Sequence, residues 1–205
     1  MRYLYALILI SLLLDAFLLA PKNMDEEQLW NLILGNYDSI DPALFSVFMI
    51  MGVFPILCAS HLLNEKTSPP YWPFLIGSFF LGCFAILPFL TVRKNNIYQP
   101  IPWLQSKYFG FFFGTLLLAL LFYGINEGDL YLFIQEFQHD RFVHIMSLDF
   151  LAFILTLSIL TYEDLRKRET DLYIWSYTPL IGPIIWLCMR DQFPINRSDI
   201  NERTD

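Results

Sequence analysis

The chain has 205 residues, 56% of them hydrophobic and only 16% charged, with a formal net charge of −7. A soluble domain carries about 25% charged residues and needs a polar skin around its core. This composition therefore excludes a soluble globular protein and a disordered chain. No basic patch of the kind that nucleic acid requires is present, so no nucleic-acid partner is expected.

A bilayer core about 30 Å thick takes roughly 20 apolar residues of helix, and six runs approach that length. The first, 3–20, is interrupted by Asp15. No small-residue cleavage site precedes Pro21, so it reads as a retained helix rather than a secretory signal. The second, 43–63, begins at Asp41-Pro42, an N-cap followed by proline at the first helical position. The third is 72–92 and the fourth 108–125. Before the fifth, residues 129–138 place Leu130, Phe133, Ile134 and Phe137 at helical spacing, which predicts a short interfacial helix. The fifth run, 142–162, is interrupted by Asp149. The sixth, 172–189, contains Pro179 and Pro183, which should kink or loosen it.

Backbone groups in hydrocarbon must be satisfied within their own segment. The expectation is an all-α polytopic integral membrane protein with about six transmembrane helices. These form one helical domain over 1–190, followed by a polar, flexible tail over 191–205. With six crossings, Lys22, Arg93, Lys94, Lys107, Arg166, Lys167 and Arg168 share one side. Arg2, Lys66, Arg141 and Arg190 share the other, with Arg197 and Arg203 in the tail. The positive-inside rule then mildly favours both termini outside the cytoplasm, Arg2 pulls the opposite way, and the orientation stays open.

Ionisable groups inside the runs are the candidate functional residues, because each needs a partner or a purpose. Asp15 lies toward the end of its run. Asp149 sits about two turns into the fifth. It predicts either a helix-to-helix hydrogen bond, for instance to Ser78, Thr115 or Tyr177, or a proton or cation site. His144 stands four residues after Asp140, which could orient its ring, whereas Asp149 lies about 140° away around the helix. His61 and Cys58 share a face at i, i+3, but no further ligand is evident and no metal is expected. The other cysteines, Cys83 and Cys188, also fall in apolar runs and read as packing residues. Glu163–Lys167 and Asp164–Arg168 are i, i+4 pairs in the favourable order. Gly110-x-x-x-Gly114 and Ser78-x-x-x-Gly82 are notches where helices can approach closely.

The runs 41–55 and 81–88, with His144 to Asp149, 163–168 and 180–183, resemble a family of small polytopic membrane proteins of cyanobacteria and plastids whose function is unassigned. The last two helices are also faintly similar to the membrane family required for neoxanthin synthesis. The first resemblance implies a membrane location, thylakoid or plasma membrane, and no catalytic residue. The leading expectation is a non-enzymatic protein that supports assembly or organisation of a membrane complex. Its partners would be the lipid bilayer and other membrane proteins, and no cofactor is demanded. The rivals are a proton- or ion-coupled transporter using Asp149, and a membrane enzyme acting on a lipid or isoprenoid with His144 and Asp149.

Overall fold

The computed structural model describes residues 1–98 and 101–194; Pro100 and the tail from 195 onward lie outside the described residues. Four helices are long and apolar enough to cross a membrane. The first is α1 (Arg2–Leu14), which continues as a π-helical turn to Leu19. The others are α3 (Pro42–Leu62), α7 (Lys107–Glu127) and α9 (Arg141–Lys167). The start of α3 is capped as the sequence indicates: the Asp41 carboxylate accepts from the Ala43 N–H at 2.8 Å. The start of α9 is capped by Asp140, which accepts from the Val143 N–H at 2.8 Å. Between α1 and α3 lies a short helix, α2 (Glu26–Leu34).

The other two apolar runs do not form single helices. Residues 72–92 break at Gly82 into α4 (Trp72–Leu81) and α5 (Cys83–Val92). Gly82 has φ 58° and ψ −139°, a backbone conformation almost confined to glycine. The chain turns back there. A Cβ placed on Gly77 would stand 3.2 Å from that of Ala85, and the Phe74 and Phe89 rings lie 5.4 Å apart. The two ends of this helical hairpin are closed by an antiparallel ladder of β1 (Glu65–Ser68) and β2 (Lys94–Tyr98). The hairpin therefore enters and leaves at one end of the bundle, the ladder end.

The last run repeats the pattern. After α6 (Pro102–Gln105), α7 and α8 (Leu130–His139), α9 returns to the ladder end. The chain then dips back along α9, with the Tyr173 ring 5.4 Å from that of Tyr162. It forms α10 (Ile174–Tyr177), turns at Leu180 with φ 65°, and comes back as α11 (Ile181–Met189). At 1.5 Å per residue, the nine residues of α11 reach about 14 Å, half of a bilayer core. Its return is fixed by α7: a Cβ on Gly110 would lie 2.6 Å from the Cys188 nitrogen, and one on Gly114 2.5 Å from Ile184. The expected break around Pro179–Pro183 is present, but it makes a second short hairpin rather than a kinked sixth helix.

The short helix anticipated at 129–138 is α8, with Asp129 as its cap. With α2 it covers the opposite end of the bundle, where the Gln28 amide donates to Glu136 at 2.9 Å. Burial there pushes the Glu136 carboxyl above its usual range; the Gln28 amide opposes this. Aromatic packing fills the interior, led by Phe54 stacked on Phe153 at 5.2 Å.

The two hairpins redistribute the charges. Among the described residues, the ladder end holds Arg2, Lys66, Arg93, Lys94, Lys107, Arg166, Lys167, Arg168 and Arg190, and the opposite end holds only Lys22 and Arg141. The mild excess expected away from the termini is replaced, among the described residues, by a strong excess at the end that holds Arg2 and Arg190.

Candidate functional site

Asp149 lies nine residues into α9, 3% exposed, against the tip of the α4–α5 hairpin. Both its oxygens accept from the backbone N–H of Cys83, at 2.9 and 3.1 Å. That N–H is among the first of α5, where the unpaired donors and the positive end of the helix dipole favour an acceptor. The partners considered from the sequence, Ser78, Thr115 and Tyr177, are not the ones used. Ser78 instead donates to the Leu75 carbonyl of its own helix at 2.7 Å.

Gly82 makes the approach possible. A Cβ there would overlap the Asp149 carboxylate. The residue expected to be a helix-packing notch is thus the seat of an acid. Cys83, read as apolar packing, contributes its backbone donor, and its sulfur lies 3.8 Å from the Thr156 hydroxyl.

A cavity of about 570 Å³ opens beside this junction, lined by Phe48, Gly52, Ser78, Gly82, Met146 and Asp149 among others. It extends to Arg141, eight residues or about 12 Å along α9 toward the opposite end. Its walls are mostly apolar, and its volume falls within the range of small-molecule sites. The inner wall carries a carboxylate whose acceptor capacity exceeds the single N–H it receives.

His144 and Asp15 meet each other. The His144 Nε2 lies 3.0 Å from the Asp15 carboxylate and its Nδ1 lies 2.9 Å from the Phe137 carbonyl. Asp140, the partner suggested by i, i+4 spacing, is instead occupied as the cap of α9 and as acceptor from the Asp25 N–H. The Asp15–His144 pair ties the π-helical end of α1 to α9 and stands apart from the cavity lining.

His61 is buried near the ladder end, with its Nδ1 3.2 Å from the Leu57 carbonyl. Nearby, Asp164 accepts from the Trp186 indole at 2.8 Å and from Arg168 at 3.1 Å. Arg190 donates to the carbonyls of Ser60 and Leu104. The expected Asp164–Arg168 pair forms, whereas Glu163 pairs with Arg93 on α5. The partnerships of Trp186, Arg190 and Arg93 carried no sequence signal, because their partners lie far away along the chain. Among the described residues, no group of three His, Cys, Asp or Glu side chains is placed to hold a metal ion. Compared with protein-family models, curated proteins and solved structures, the chain matches none.

Proposed function

We propose that this is a membrane-embedded protein with four crossings and two re-entrant hairpins, and that it binds a small apolar molecule bearing a hydrogen-bond donor. The observation that carries the reading is the Asp149 carboxylate at the hairpin tip, facing the 570 Å³ cavity. Irregular backbone at membrane depth is tolerated where it is buried in protein or lines a cavity. A polar anchor in an apolar pocket fixes a ligand's orientation. The nine cations at the ladder end support a cytoplasmic position for that end under the positive-inside rule. The cavity supports ligand binding beside the expected role in membrane-complex assembly.

Gly52 provides the test. It lines the cavity, and a Cβ there meets nothing within 4 Å. Gly52→Leu is expected to fill the space while leaving stability unchanged or raised by about 0.5–1 kcal/mol, because glycine is a poor helix former. Wild-type protein purified in mild detergent should carry a small apolar compound, detected by mass spectrometry of the extract. Gly52→Leu and Asp149→Leu should both lose it. Equal small-molecule content in all three proteins refutes the reading. A proton-coupled carrier would use the same carboxylate; in liposomes with a pH-sensitive dye, identical proton uptake by wild type and Asp149→Asn discards that version.

A further inference from the structure

The crevice between α1 and α9 carries a second site. At the ladder end, where α5 adds Leu90 beside α1 and α9, lies a cavity of about 620 Å³ whose lining includes Arg2, Arg93, Tyr162, Glu163, Arg166 and Lys167. Glu163, the one carboxylate among these cations, is paired with Arg93. The Arg2 guanidinium donates to the Arg93 carbonyl at 2.9 Å, which holds it at the cavity, and Arg166 is exposed there. The cavity therefore keeps a surplus of positive charge.

Further along the same two helices lies a mostly apolar groove of about 660 Å³, lined by Leu7, Ser11, Leu148, Ala152 and Leu155 among others, with Asp15, paired to His144, at its far end. The two spaces share one face of α9. Leu148, Ala152, Leu155, Tyr162 and Arg166 follow the spacing of a single helical stripe. Ala152 lies ten residues from Tyr162, about 15 Å along the axis, which is half of a hydrocarbon core about 30 Å thick. That is the reach of one acyl chain below its headgroup.

We propose that this crevice holds one anionic phospholipid, with its phosphate on Arg2 and Arg166 and an acyl chain along the groove. Basic pockets between helices at a cytoplasmic surface recognise such headgroups, and Arg matches phosphate oxygens in a bidentate manner. The proposal rests on the membrane reading above but not on the Asp149 ligand.

The test uses the full chain in a neutral detergent, followed by native mass spectrometry and thermal unfolding. Phosphatidylglycerol is expected to remain bound and to raise the melting temperature, as any ligand selective for the folded state does. Phosphatidylcholine and inorganic phosphate should do neither. Arg2→Gln with Arg166→Gln should lose the phosphatidylglycerol effect, read as the rise above the double variant's own lipid-free melting temperature. Leu155→Trp, which fills the groove and leaves both arginines, should lose it as well. Equal stabilisation by phosphatidylcholine, an equal effect of inorganic phosphate, or retention of the effect in the double variant overturns the proposal. Alkaline carbonate extraction separates the two readings: release of the chain overturns membrane embedding, whereas a chain that stays in the pellet but gains nothing from phosphatidylglycerol overturns the lipid site alone.

Discussion

Gly82→Val is expected to abolish the native fold or to lower its stability by about 2–6 kcal/mol. Two costs combine. The backbone at φ 58° and ψ −139° is strained for any L-residue with a side chain, at about 1–3 kcal/mol. The new Cβ also displaces the Asp149 carboxylate, which leaves the buried Cys83 N–H unpaired at about 1–3 kcal/mol more. The check is the melting temperature and size-exclusion profile in detergent, with Gly52→Ala as the control that adds a Cβ into open space. Asp149→Ala combined with Gly82→Ala should relieve the overlap but not the backbone strain, so the double variant should be less damaged than the two single losses added together. A Gly82→Val protein as stable as wild type would mean that the hairpin tip is not built as described.

The second large effect concerns sidedness. In a chain with Cys58, Cys83 and Cys188 replaced by alanine, single cysteines are introduced as Asn36→Cys, Lys94→Cys, Glu127→Cys and Glu169→Cys, all at exposed positions. Positions 36 and 127 lie at the opposite end of the bundle, and positions 94 and 169 at the ladder end. A membrane-impermeant thiol reagent applied to intact cells should label the first two. The other two should react only after permeabilisation. Six full crossings would instead place 36, 94 and 169 together, apart from 127. Joint reaction of positions 36 and 94 refutes the re-entrant arrangement.

The four long helices were legible because length and hydropathy suffice for them. Asp41-Pro42 marked the start of α3, whereas the caps of α9 and α7, Asp140 and Ser106, emerge only from the structure. The hairpins were not legible, for a physical reason. Residues 72–92 are as apolar as a crossing helix, and a hairpin of two half-length helices buries the same kinds of side chain. The whole difference rests on Gly82, which inside an apolar run also fits a packing notch. In the last run Pro179 and Pro183 did signal a break, but not that the chain would return to the end it came from.

The candidate site was legible as residues and not as partnerships. Asp149 was singled out because an acid in an apolar run needs an acceptable neighbour. That neighbour is a backbone N–H, which no side-chain pattern advertises. His144 was assigned to Asp140 by spacing, yet capping had already engaged Asp140, and Asp15 arrives from 129 residues away. Local spacing ranks neighbours along a helix and is silent about the helix beside it.

The bond between Cys83 and Asp149 also sets an order of events during synthesis. Its partners stand 66 residues apart. At about 5–20 residues per second, the hairpin tip leaves the ribosome roughly 3–13 seconds before its carboxylate does. Through that interval the α5 N-terminus has neither its acceptor nor the wall of α9, and hydrocarbon offers no substitute. In a chain embedded as proposed, the hairpin would wait at the water boundary or in the insertion machinery and settle to depth once α9 arrives. A nascent chain halted before residue 141 should keep residues 72–92 open to aqueous reagents, and release of the halt should protect them.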